Sequence, residues 1–159
     1  MGGVARVPVA IALGSNLGDR DEQLDEAEDR LAVLLSGAVA SARYETGSVG
    51  GPPNAPDFLN EVVVGTTLLG PRSLLEALHA IEEAAGRERP FVNAPRTLDL
   101  DLILYGDFVI DEPGLRVPHP RFRDRAFVLQ PLAEVAGDWV DPVSGRSVSD
   151  LLHELPSPS

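Results

Sequence analysis

The sequence predicts an α+β fold in which one antiparallel sheet carries its helices on a single face. Two observations predict it. The chain has 159 residues, 43% of them apolar, which suits one domain with one packed core rather than a disordered chain. Its hydrophobic pattern also switches between a period of two and a helical period in the order strand–helix–strand–strand–helix–strand. That order is the split βαβ arrangement of ferredoxin-like α/β sandwiches (βαββαβ), whose second sheet face is left for loops and ligands. A single domain is expected over residues 1–159, with its core in 4–135.

Each element has a local reason. Val4–Leu13 is β-branched and Ala-rich, as a buried strand should be. Gly14–Asp19 is a turn cluster placed to cap a helix over Asp19–Leu35, where Leu24, Ala27, Leu31 and Leu34/Leu35 make an apolar stripe. Ala38–Thr46 reads as a strand, Gly47–Asp57 as a Gly/Pro-rich loop, and Phe58–Leu68 as a strand again. Gly70-Pro71 opens a second helix with its stripe at Leu74/Leu75, Leu78, Ile81 and Ala85, and Gly86 stops it. Arg87–Pro95 is a loop and Thr97–Tyr105 the clearest strand. The chain beyond is Pro-rich and partly irregular, and Pro156–Ser159 is a frayed tail.

Composition excludes several chemistries. There is no cysteine, hence no disulfide, thiolate nucleophile or cysteine-ligated metal. All 13 basic residues are arginine, which rules out a Walker-type phosphate loop and Schiff-base catalysis. A net charge of −12 argues against nucleic acid as a partner. No apolar run approaches the ~20 residues of a membrane span, and no signal peptide is evident, so a cytoplasmic location is expected. The charge is uneven, since residues 87–125 hold seven arginines and seven acids, while the remainder carries the whole −12. Such a stretch either meets a small anionic ligand or makes surface ion pairs.

The segment Pro95-Arg96-Thr97-Leu98-Asp99-Leu100-Asp101-Leu102-Ile103 carries the most information. A period of two sends Leu98, Leu100 and Leu102 to the core and both aspartates to the open face, their Cα atoms about 6.5–7 Å apart. Asp is a poor strand former, so two in one strand point either to a solvated face or to a metal site. Mg²⁺ is the hard cation that prefers carboxylates together with substrate phosphates. Arg87 and Arg96 stand at the two ends of the preceding loop, and the guanidinium fork suits phosphate oxygens. His119, fixed between Pro118 and Pro120, is either structural or a phosphate contact and proton donor. Among the nearby arginines, Arg125, two residues before Phe127, is the best candidate to face inward.

The pieces Gly14-Ser15-Asn16-Leu17-Gly18-Asp19, Pro56-Asp57-Phe58-Leu59-Asn60, Pro95–Asp101, Val117-Pro118-His119-Pro120 and Arg125-Ala126-Phe127 occur in that order. Together they strongly resemble the 6-hydroxymethyl-7,8-dihydropterin pyrophosphokinases of folate biosynthesis, over roughly residues 8–135. The resemblance implies transfer of pyrophosphate from MgATP to the hydroxymethyl group of a reduced pterin, with release of AMP. It implies that Asp99 and Asp101 hold two Mg²⁺ ions, and that Arg87, Arg96, His119 and Arg125 grip the ATP phosphates. Phe58 and Phe127 would sandwich the pterin, Asn60 would bond its edge, and backbone groups of the Thr46–Val49 turn would complete its pocket. Glu82 matches a family glutamate near ATP, or it is structural. Arg116 stands at one of two ATP-contacting positions, with Gly114 at the other, where some relatives have Thr and Arg. Asn93-Ala94 replaces a common Trp-Gly, and Gly47-Ser48-Val49 replaces a Pro-rich turn. A ligand-sensing module without chemistry and a Mg²⁺-dependent kinase for another substrate are the alternatives. A monomer is expected.

Overall fold

A computed structural model describes residues 6–16, 19–46, 58–86 and 98–156. The strands are β1 (Val7–Ser15), β2 (Ser36–Ala40), β3 (Tyr44–Thr46), β4 (Phe58–Thr67) and β5 (Leu98–Tyr105), with a small hairpin of β6 (Ile110–Glu112) and β7 (Leu115–Val117). The helices are α1 (Arg20–Leu34), α2 (Pro71–Gly86), α3 (Ala126–Ala136) and α4 (Val148–His153). The main sheet runs β2-β4-β1-β5, with β3 also on β4, and every pairing is antiparallel. This is the order the ferredoxin-like reading requires. None of the described helices is long and apolar enough to cross a membrane.

β1 is central, and its two faces differ in bulk. Val9, Ile11 and Leu13 are buried in the core under α1 and α2, whereas Ala10 and Ala12 alternate to the opposite face. α1 buries Leu24, Ala27 and Leu31, and α2 buries Leu74, Leu78 and Ile81, matching the stripes read from the sequence. Asp19 caps α1 by accepting the Glu22 N–H at 3.0 Å. The expected strand Ala38–Thr46 is two strands. It breaks at Ser41, whose hydroxyl accepts the Val62 N–H at 3.0 Å, a side-chain oxygen standing where a continuous ladder would offer a carbonyl.

The second face was expected to be left for loops and ligands, but α3 and α4 cover part of it. Phe122, Val128, Leu129, Leu132, Val148 and Leu151 are buried against Ala10, Val62, Val64, Ile103 and Leu104. Each fully buried side chain of this size contributes roughly 1.5–3 kcal/mol, which outweighs the poor helix propensity of Pro131 inside α3. A β-bulge serves this second core. Ala10 pairs Leu104 while Ile11 pairs Leu102, so Ile103 is an extra residue, and Ile103 and Leu104 both join the α3 layer.

Asp141 locks the α3–α4 connection. It is fully buried, accepts from Arg123 Nε at 2.5 Å and Nη2 at 2.8 Å, and takes the Ser144 hydroxyl at 2.6 Å. Although burial opposes ionisation, the Arg123 and Ser144 hydrogen bonds hold its pKa down at about 2. A carboxylate with a depressed folded-state pKa stabilises above its ordinary value and loses that contribution as pH falls toward 2. Arg123→Ala is therefore expected to cost about 3 kcal/mol at neutral pH. In thermal or urea unfolding, its deficit against wild type should shrink as pH drops below about 4.

Candidate active site

Where α3 stops covering the second face, a cavity of about 630 Å³ opens at the far end of β1. Its floor is Ala12 and Gly14, one wall is Thr46, Phe58 and Asn60, and the other is Asp99 and Asp101. The first turn of α3 supplies Arg125 and Phe127. Register explains the convergence, because Gly14 lies between Asn60 on β4 and Asp99 on β5, and Ala12 is opposite Asp101. The small floor leaves the walls room, since a Cβ at Gly14 would stand 3.2 Å from Asn60 Oδ1 and 3.5 Å from the Phe58 ring. Asn60, itself buried, donates from Nδ2 to Thr46 Oγ1 at 2.7 Å, which fixes its amide across the wall.

β5 alternates as expected: Leu98, Leu100 and Leu102 are buried while Asp99 and Asp101 are exposed on the cavity side. The strand forms a sheet edge, and two other groups close its unpaired side. Glu82 Oε2 accepts the Leu100 N–H at 2.8 Å, between the two aspartates. The His119 N–H donates to the Ile103 carbonyl at 2.9 Å. Glu82 thus has a structural role, the one the sequence reading left open beside contact with ATP.

A second cavity, about 330 Å³, lies beyond the aspartates and is lined by His79, Asp101, Gly114, Arg116 and His119, among others. His119 Nδ1 accepts the Arg121 N–H at 3.2 Å, so Nε2 carries the ring's proton. Burial holds its pKa below the ordinary value, Arg125 and Arg121 add to that effect, and Asp101 pulls the other way. The ring is consequently a neutral donor at pH 7. Arg116 is exposed and pairs with Asp111 at 3.1 Å. The Arg125 guanidinium lies 5.5 Å from the centre of the Phe127 ring, and Arg125 is the N-cap residue of α3, whose positive dipole end favours an anion.

The structure therefore brings together Thr46, Phe58, Asn60, Asp99, Asp101, Arg125 and Phe127 in one cavity, and His119, Arg116 and Asp101 in the next. Arg87, Arg96, Val49, Asn93 and Ala94 lie outside the described residues. Sequence reading missed the floor, because Gly14 belongs to β1 and not to a turn. It also missed His79, whose only signal was a polar ring on the exposed flank of a helical stripe.

Paired aspartates where an apolar-walled cavity meets one lined by His79, Arg116 and His119 suit a transferase that handles a phosphorylated donor. The profile of 7,8-dihydro-6-hydroxymethylpterin-pyrophosphokinase matches residues 10–137. The chain is 43% identical over 149 residues to a 2-amino-4-hydroxy-6-hydroxymethyldihydropteridine pyrophosphokinase of Pseudomonas aeruginosa, covering 93% of this chain and 91% of that one. Against the Synechocystis enzyme of the same description it is 42% identical over 147 residues, covering 91% and 74%. A crystal structure of Plasmodium falciparum HPPK-DHPS shares the fold, with a TM-score of 0.75 at 15% identity, over 97% of this chain and 45% of that one. The chain belongs to the 6-hydroxymethyl-7,8-dihydropterin pyrophosphokinase family of folate biosynthesis, whose members use ATP.

Gly14→Ala tests the floor. The added carbon should push Asn60 or Phe58 and narrow the cavity, raising about tenfold the KM of the substrate that occupies it. The cooperative thermal transition should be kept, as the new methyl faces the cavity and not the core.

Proposed function

We propose that the larger cavity receives the pterin and the smaller one the nucleotide, so that the pyrophosphoryl group of ATP passes to the pterin beside Asp101. The observation that carries this reading is that Asp101, alone among the described residues, lines both cavities. Transfer between two bound molecules needs their reacting atoms in line at roughly 3–3.5 Å, and this junction is where two ligands would meet.

Phe58 and Phe127 would stack on the flat ring while Asn60, Thr46 and Val49 bond its edge, apolar surface giving affinity and polar atoms orientation. Arg125 and the Nε2–H of His119 would hold phosphate oxygens at the junction, joined by Arg87 and Arg96. Arg116 would flank the nucleotide, and Glu82 would act by holding β5. The donor set also fits a hard cation. Two carboxylates project from one strand into the cavity, and no group of three His, Cys, Asp or Glu forms a full cage among the described residues. An ion held by Asp99 and Asp101 would complete its shell with water and phosphate oxygens, as Mg²⁺ does. Two bound Mg²⁺ ions would neutralise charge on the triphosphate.

In the reaction the hydroxymethyl oxygen attacks the β-phosphorus of ATP, the bond from that phosphorus to the α-phosphate oxygen breaks, and AMP leaves. An aspartate orients the hydroxyl or accepts its proton, and the arginines offset charge on the transferred group. We further infer a monomeric, single-domain, cytoplasmic enzyme with no nucleic-acid partner, the last from the net charge of −12.

Asp99→Ala and Asp101→Ala should each lower AMP formation by at least about 10³-fold while the fold persists. Phosphorus NMR with MgATP and 6-hydroxymethyl-7,8-dihydropterin reads this directly. A folded variant that still makes AMP would refute the assignment, and release of ADP by wild type would favour a kinase of another kind.

A further inference from the structure

One cluster lies behind the wall of the larger cavity, whose lining it shares through Glu61, and the reaction proposed above does not use it. Arg43, in the connection between β2 and β3, reaches toward α1 and donates from Nη1 to Asp21 Oδ1 at 2.7 Å. Its Nη2 donates to Asp25 Oδ1 at 2.6 Å and Glu28 Oε2 at 2.9 Å. Its Nε lies 3.4 Å from Oε2 of Glu61, a β4 residue only 1% exposed. Glu61 interrupts the run Asn60-Glu61-Val62-Val63-Val64, and no hydrogen bond reaches its Oε1. Burying a carboxyl there is costly unless a cation accompanies it.

The cluster adjoins the cavity wall. Asn60 is the residue before Glu61, and Thr46 is three residues after Arg43. β3 has three residues and pairs only with β4, so its ladder holds it weakly. Side chains supply the rest in strict alternation. Glu45 turns toward α1 and meets Arg20 at 2.9 Å. Tyr44 turns toward α3 and donates to Glu134 Oε1 at 2.5 Å.

We propose that Arg43 is a positioning residue for the ring substrate: by tying the β2–β3 connection to α1 and to buried Glu61, it fixes Thr46 and Asn60 in the cavity wall. This rests on the pterin occupying the larger cavity. The cluster also makes the wall sensitive to alkali. Burial, and then the Glu28 carboxyl beside it, push the Glu61 pKa up to about 8 against the pull of Arg43. The charged groups facing Glu61 are Arg43 from the connection and Glu28 from α1, with Asp21 and Asp25 on the same guanidinium. β1 presents only Leu13 opposite it. Below about 8 a proton relieves the Glu28–Glu61 contact. Above it, four carboxylates share one cation and the clamp loosens. The folded-state value is raised from 4.5, so the proton's contribution to stability is full below that value and is lost as pH climbs to about 8.

The test is pterin binding, by fluorescence titration of 6-hydroxymethyl-7,8-dihydropterin without nucleotide, alongside steady-state kinetics. Arg43→Met should raise both Kd and KM for the pterin about tenfold, with kcat and the KM for MgATP within about twofold. Arg43→Lys should recover part of that loss. Wild type should show a rising pterin KM between about pH 7 and pH 9, and Glu61→Gln should bind normally at pH 7 and lack that rise. A folded Arg43→Met with unchanged pterin Kd, or a Glu61→Gln that keeps the alkaline rise, overturns the proposal. If Arg43→Met does not fold, Arg43→Lys and Glu61→Gln decide by the same criteria. Wild type that binds no pterin at all would instead sink the functional reading beneath it.

Discussion

The site depends on how the edge strand β5 is held. Two carboxylates that project from one strand converge only if the strand keeps its register and does not roll, and an edge strand has a sheet partner on one side alone. Here β1 fixes one side, while the other is closed by a glutamate from α2 and a backbone N–H from the His119 segment. Three buried leucines anchor the strand to the α1/α2 core. The bulge then reverses the phase, so the same strand feeds both cores within eight residues. With that geometry set, Asp101 reaches both cavities and the remaining groups need only face inward.

Periodicity made the frame legible. α1, α2 and the first half of β5 each bury one face in the same core, so their apolar spacing survives in the sequence with little noise. α3 was not legible for the opposite reason. Its stripe of Val128, Leu129, Leu132 and Ala136 follows an arginine-rich stretch and is interrupted by Pro131. The break between β2 and β3 was hidden too, because a serine hydroxyl replacing a carbonyl leaves no pattern in hydrophobicity. The aspartates, aromatics and Arg125 could be read from motif and alternation. The floor of small residues was not, since absent side chains announce nothing until neighbours from β4 and β5 are placed beside them.

The uneven charge posed a choice between an anionic ligand and surface ion pairs, and the structure shows some of these arginines in ion pairs and Arg125 at the cavity. Arg116 and Arg123 are taken by Asp111 and Asp141. Arg125 has no carboxylate partner among the described residues and lies over an aromatic ring at the cavity mouth. With no lysine in the chain, every permanent positive charge carried by a side chain comes in a planar fork, which fixes direction as well as sign. An acidic protein can therefore still present a localised cationic rim.

The bare floor at Ala12 and Gly14 bears on how an inhibitor could be evaded. A compound lying flat against it touches a position where an added carbon would crowd Asn60 and Phe58, in the cavity proposed for the substrate. Escape would have to arise in the walls above the floor, where a side chain can change without adding bulk beneath the ligand. Affinity drawn from the floor would therefore be the harder part for a resistant strain to remove.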